Sequence, residues 1–177
     1  MSGRILMTAL ISVALGGCAT FSKDGGFDSV ERTVKERTGK DVAWIKSEEQ
    51  RDSSDKRVAE LLSAPLTADA AVQVALLNNR GLQASFAELG IGEADLVQAG
   101  RLSNPRLSML RASRDEPGGR EYKIEQALTM NIFALITMPL ATEIEARNFA
   151  RVQRGVTLEV LRLASETRKA YYGAVGA

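Results

Sequence analysis

Cys18 is the residue whose type and position most clearly carry chemistry, because it is the only cysteine in this 177-residue chain. The sequence has no histidine. That absence removes His-based acid/base catalysis, Ser-His and Cys-His nucleophile pairs, and zinc sites built from His and Cys. A lone cysteine also forms no internal disulfide. We therefore expect a protein that is not an enzyme, with no catalytic residues, no metal ligands and no cofactor.

A short apolar run leads directly to Cys18. One cation, Arg4, precedes Ile5–Leu15, which is almost entirely apolar. The run is shorter than the roughly 20 residues that span a bilayer, and it has the length of a signal-peptide core. Gly16 and Gly17 then place small residues just before the thiol. Residues 1–17 are thus predicted to be a signal peptide, and the junction resembles the lipidation site of bacterial lipoproteins.

This resemblance implies that Cys18 is acylated after cleavage. Several acyl chains anchor a protein stably, since each buried CH₂ contributes about 0.8 kcal/mol. Ala19 follows where an Asp would typically retain such a protein in the inner membrane, so the outer membrane is implied. The alternative is an ordinary secretory signal in which Cys18 is incidental.

Composition limits the partners and favours helices. The formal net charge is +1, so no basic field holds a polyanion, and we expect no nucleic-acid partner. Only 5% of residues are aromatic, while alanine, leucine, arginine and glutamate are abundant, which is typical of long packed helices.

The segment after the cysteine is polar and irregular. We interpret residues 18–64 as a lipidated flexible tether, in which Val30–Lys40 and Lys56–Leu62 could form short helices. No chemistry is predicted there.

Two helices are predicted next. Thr67 can cap the first of them, whose opening turn carries Asp69. Residues 78–81 have the character of a helix stop. A second helix is predicted over Leu82–Arg101, and Asn104 followed by Pro105 ends it.

Residues about 105–114 and 121–133 are predicted to form a β-hairpin. The second strand alternates with a period of two, and it is long enough to reach the roughly 9–11 residues that cross a membrane in a barrel. The alternative is a hairpin in a soluble sheet covered by a helix. The apolar face includes Ile124, Leu128, Met130 and Ile132, and the polar face includes Lys123, Glu125, Thr129 and Asn131.

One long helix is predicted from Pro139 to about Gly173. A capping box at residues 142–145 supports its start. At 1.5 Å per residue it would be about 50 Å long, which suits a coiled coil or a helical barrel wall. Its apolar stripe consists of Phe149, Val152, Val156, Val160 and Leu163.

Four blocks of sequence, in this order, resemble the first repeat of the TolC-like outer-membrane efflux factors. Residues 66–79, LTADAAVQVALLNN, are similar to the family's opening helix. Residues 87–105 are similar to its second helix and the approach to its first strand. Met138-Pro139-Leu140 and residues 168–172, RKAYY, are similar to its strand-to-helix junction and its helix end.

The resemblance covers residues 65–177 and implies a mainly α fold with a β-hairpin. The long helices would belong to an α-helical barrel and the strands to a transmembrane β-barrel. It also implies a homotrimer of the full-length protein, with four strands from each protomer, that meets a periplasmic adaptor, an inner-membrane pump and outer-membrane lipid. The chain departs from the family in Ala141-Thr142-Glu143, where glycines are common, and in lacking the second repeat, which indicates truncation.

The sequence predicts two candidate functions. The first is a passive conduit for small molecules or metal ions, in which Lys123, Glu125, Thr129 and Asn131 face the pore. In that case Ile124, Leu128, Met130 and Ile132 face lipid. The second is a periplasmic coiled-coil adaptor or structural lipoprotein.

Overall fold

The chain folds into five helices and one antiparallel β-hairpin within residues 20–117 and 119–177, which the computed structural model describes. Cys18 and the predicted signal peptide lie outside these residues. In chain order the elements are α1 (Phe27–Thr38), α2 (Glu48–Leu62), α3 (Ala68–Asn78), α4 (Arg80–Ala99), β1 (Arg106–Glu116), β2 (Gly119–Thr129) and α5 (Ile132–Val175).

The helices pack around α5. α1, α3 and α4 each contact α5, and α2 packs on α3. The predicted stripe on α5 is confirmed, because Val156 and Val160 are buried and its other members are partly buried. Phe86 of α4 meets Phe27 of α1 edge-on, with ring centroids 4.9 Å apart. The core therefore lies where these helices converge, away from the hairpin.

Two polar side chains set the helix boundaries in the middle of the chain. The Thr67 hydroxyl accepts a hydrogen bond from the Ala70 amide at 3.1 Å, so the predicted cap is confirmed. Asn79 accepts from the Leu82 amide at 3.1 Å and caps α4. The predicted stop is therefore a one-residue junction, and α4 begins slightly earlier than expected.

The prediction of a flexible tether over 18–64 is wrong for the part that the structure describes. Val30 and Val34, one helical turn apart on α1, are buried in the core. The extended chain after α1 is held by Gln73, whose side chain accepts from the Asp41 amide and donates to its carbonyl. Gln83 binds Ile45 and Ala43 in the same way. Two buried valines give only a weak helical pattern in this charged segment, and the two glutamines that hold it lie far away in the sequence. The sequence alone therefore did not reveal that the segment is ordered.

The predicted junction between β2 and the long helix is also wrong. β2 ends at Thr129, so Met130, Asn131 and Ile132 do not lie on the strand. Asn131 instead caps α5 by accepting from the Ala134 amide at 2.9 Å. The helix runs through Pro139 without a break and has 44 residues in all, which makes it about 66 Å long. Proline costs one helical hydrogen bond, which this long helix tolerates, so Pro139 did not mark its start.

Candidate functional site

The hairpin is the most unusual surface of the molecule. Its two strands are 11 residues long and pair in an unbroken antiparallel register from Arg106 opposite Thr129 to Glu116 opposite Gly119. Every hairpin side chain that the structure describes is exposed. The hairpin thus projects from the helices without a cover from the described residues.

One face of the hairpin carries five large apolar side chains, interrupted by Arg111, Ser113 and Gln126. Because paired residues share a face, Leu107 lies beside Leu128, and Met109 and Ile124 lie between them and Tyr122. The exposed fraction of the large apolar side chains on this face ranges from 57% at Tyr122 to 72% at Leu107. A soluble hairpin would bury such a face, so the register leaves it ready for another apolar medium or partner.

The opposite face is polar. Lys123 and Glu125 are neighbours on it and form an ion pair of 2.5 Å, and Ser108 and Thr129 lie near its base. Leu110 and the alanines at 112 and 127 share this face. The separation of Ile124 and Leu128 from Lys123, Glu125 and Thr129, which the sequence predicted, is confirmed.

Arg111 lies on the apolar face, directly opposite Ile124. Its guanidinium stacks over the Tyr122 ring, 4.9 Å from the ring centroid. The electron-rich face of an aromatic ring partly balances the charge of a cation that lies over it. The long side chain of arginine also lets the guanidinium extend towards water. Arg111, which interrupted the alternation in the sequence, is therefore compatible with the apolar face.

The tip of the hairpin is charged. Arg120 donates two hydrogen bonds to Asp115, at 2.7 and 3.3 Å, and this pairing raises the pKa of the Arg120 guanidinium. This charged pair thus lies beyond the large apolar side chains, at the far end of the hairpin from the helices.

Exposed apolar side chains also occur on the first turns of α5. Phe133 is 76% exposed and Ile136 is 71% exposed, and exposed residues recur at Leu140 and Ile144. These side chains follow helical steps of three and four residues, so they share one side of α5. We call the surface formed by Leu107, Met109, Tyr122, Ile124, Leu128, Phe133 and Ile136 the apolar belt. Sequence reasoning missed its α5 part, although the spacing was readable.

The segment that follows Cys18 is fastened to α4. Glu93 is buried, and its carboxylate accepts a hydrogen bond from the Ser22 amide at 2.6 Å. The chain then turns at Gly26, which has φ of 75°, and passes against Phe149 of α5. Gln153 donates to the Gly26 carbonyl at 2.9 Å. The start of the described chain is thus held on the same helices that lead to the hairpin.

Gly26→Ala should destabilise the fold more than Gly39→Ala. Both glycines have left-handed φ angles, at a cost of about 1–2 kcal/mol for alanine. A Cβ at Gly26 would also collide with Phe149, whereas nothing lies within 4 Å of one at Gly39. We expect about 1–3 kcal/mol of additional loss from overpacking at Gly26. Chemical denaturation of both variants measures the difference, and equal losses would contradict the close contact.

Two other kinds of site, a metal-binding cluster and a membrane-spanning helix, are absent from the described residues. Within residues 20–117 and 119–177, no group of three or more His, Cys, Asp or Glu side chains could hold a metal ion. Of the helices in that part of the chain, none is both long and apolar enough to cross a bilayer. Comparison with protein-family models, with curated proteins and with solved structures found no match. The apolar belt is therefore the candidate functional site in the described part of the chain.

Proposed function

We propose that this chain is part of the outer-membrane channel of a tripartite efflux system. In this proposal the hairpin contributes two strands to a shared transmembrane β-barrel, and the helices contribute to the wall of a periplasmic tunnel. The observation that carries the proposal is the long, uncovered hairpin with one apolar and one polar face.

A two-stranded hairpin is at best marginally stable in water. Each outer edge of this hairpin also presents backbone donors and acceptors that need partners. In lipid those groups are satisfied only when strands close into a barrel. Neighbouring strands in a barrel would satisfy the edges, while lipid would cover the apolar belt.

The dimensions support the same proposal. An extended strand of 11 residues is about 37 Å long, and a 45° tilt reduces its height to about 26 Å. This height is close to the apolar band of about 25 Å on outer-membrane barrels. Tyr122 lies in the half of β2 nearer the tip and Phe133 lies just after its base, and aromatic residues typically meet the membrane interfaces.

The hydrogen bond between Ser22 and Glu93 supports a lipid anchor near the base of the hairpin. A chain of four residues spans at most about 14 Å, so Cys18 cannot lie farther than that from Ser22. Glu93 is about 9 Å along α4 from Ala99, its last residue before the hairpin. An acyl group on Cys18 would thus reach the membrane near the base of the hairpin.

The proposed mechanism is passive. Lys123, Glu125 and Thr129 would face a water-filled lumen, and Ile124 and Leu128 would face acyl chains. Transport energy would come from an inner-membrane pump through a periplasmic adaptor. We propose a homotrimer as the assembly of the full-length protein, small molecules or metal ions as cargo, and no catalytic step in this chain.

The 44-residue α5 also suits a second candidate, a periplasmic coiled-coil adaptor or structural lipoprotein. The two candidates differ in the surroundings of the hairpin. An adaptor needs water or protein around it, whereas a channel needs lipid.

Replacing residues 1–18 with a cleavable secretory signal that lacks a cysteine should separate these candidates, because the protein is still exported but carries no acyl anchor. Without the predicted anchor, a barrel component should remain in the membrane fraction after alkaline extraction and require detergent in solution, because the apolar belt still contacts lipid. A lipid-anchored adaptor should become soluble. Release of the shortened protein as a soluble species would overturn the proposed channel.

A further inference from the structure

A groove between α1 and α5 combines cations with an apolar floor. It has a volume of about 440 Å³, and Leu158, which is 65% exposed, lies in it with Ala150 and Leu161. Arg32 and Arg37 of α1 and Arg154 of α5 line the same groove. Among the described residues none of these three arginines forms an ion pair. The groove therefore has the chemistry to receive an acidic and partly apolar segment.

A membrane surface is a poor occupant for this groove. Leu158 lies about 39 Å along α5 from Ile132, where the apolar belt meets the helix. Screening reduces interactions between exposed charges beyond about 8 Å at physiological ionic strength. The occupant should therefore be a protein segment.

Helix α2 carries the complementary pattern. Glu48, Asp52, Asp55, Ala59 and Leu62 are exposed and recur at alternating steps of four and three residues, which gives one continuous stripe. Its first half is acidic and its second half is apolar. The stripe lies on a different side of α2 from Ser54, which is buried against α3 and donates to the Leu77 carbonyl.

We propose that the groove between α1 and α5 receives α2 of a neighbouring copy of this chain. With α2 parallel to α5, Asp52 and Asp55 meet Arg32 and Arg154, and Leu62 packs on Leu158. The C-terminal end of α2 then lies beside Arg37, where the helix dipole favours a cation. Glu48 pairs with Arg51 of its own helix, whereas Asp52 and Asp55 form no ion pair among the described residues and supply the acidic surface.

The two surfaces are built from different helices of one molecule. α2 packs on α3, whereas the groove is formed by α1 and α5. Such a contact is head-to-tail, and a threefold rotation would close it into the proposed trimer. The inference deepens the proposed function, on which it rests for the presence of several copies, by assigning the helices that join them.

Disulfide cross-linking tests this contact in the full chain. Ala59→Cys combined with Leu158→Cys should give covalent species of two and three copies on mild oxidation, whereas each single variant should not. Absence of the cross-linked species, or a disulfide within one copy, would overturn the contact.

Charge reversal tests the complementarity within the same assay. Arg32→Glu with Arg154→Glu should abolish the cross-link, and adding Asp52→Arg and Asp55→Arg should restore it. Lys169→Glu, a single charge reversal farther along α5, should leave it intact. A cross-link unaffected by the paired arginine reversal would contradict the role of charge. Alkaline extraction of these variants distinguishes the two proposals, because membrane insertion without cross-linking refutes only the contact.

Discussion

Leu128→Arg is expected to reduce membrane insertion, because an arginine on the lipid face of a barrel costs about 2–4 kcal/mol at the bilayer midplane and less towards the interfaces. Leu128 lies beside Leu107 on the apolar face, one residue before the end of β2. A guanidinium there would contact acyl chains without an aromatic partner such as the one that Arg111 has in Tyr122. The fraction of protein resistant to alkaline extraction measures the effect.

Ala127→Arg is the matched control. Ala127 is adjacent in sequence, and its pairing with Ser108 places it on the polar face, where an added arginine should meet water. We expect this variant to insert like the unmodified chain. Equal insertion of both arginine variants would show that the two faces do not differ in their surroundings.

Phe86→Ala is expected to lower the free energy of unfolding by about 3–5 kcal/mol. Phe86 is fully buried and packs edge-on against Phe27, so its removal leaves a cavity between α1, α4 and α5. Loss of helical circular dichroism with increasing denaturant measures the change.

Phe133→Ala removes the same side chain from an exposed position. Phe133 is 76% exposed at the start of α5, so the free energy of unfolding of the helices should change by less than about 0.5 kcal/mol. Comparable destabilisation by both variants would mean that the helical core extends to the belt. That result would contradict the division between a packed helical part and an uncovered hairpin.

Local signals in the sequence predicted much of the fold. Thr67 acts as the expected helix cap, because capping depends only on a hydroxyl and the next few amides. Val156 and Val160 are buried as the helical spacing indicated. The two faces of β2 also follow from alternation alone, since the side-chain period of a strand is fixed.

Long-range contacts were not predictable in the same way. Gln73 and Gln83 bind the backbone of a segment far away in sequence, and Glu93 binds Ser22. Their residue types do not reveal such partners. The end of β2 was missed for another reason, because Met130 and Ile132 continue the strand alternation while Asn131 begins a helix. The surroundings of the belt depend on molecules outside the chain.

Adjacent residues on opposite faces allow a direct test of those surroundings. Lys123→Cys and Ile124→Cys differ by one position and would carry the same polarity-sensitive probe in the full chain inserted into vesicles. The chain without an added cysteine is the control, since an acylated Cys18 takes up no label.

Quenching of that probe tests the central claim that the apolar face of the hairpin meets lipid. A quencher confined to the acyl chains should act on the probe at position 124 and not at 123, while a water-soluble quencher should show the reverse preference. Equal quenching at both positions, or lipid quenching at 123 alone, would contradict a hairpin placed in a barrel wall.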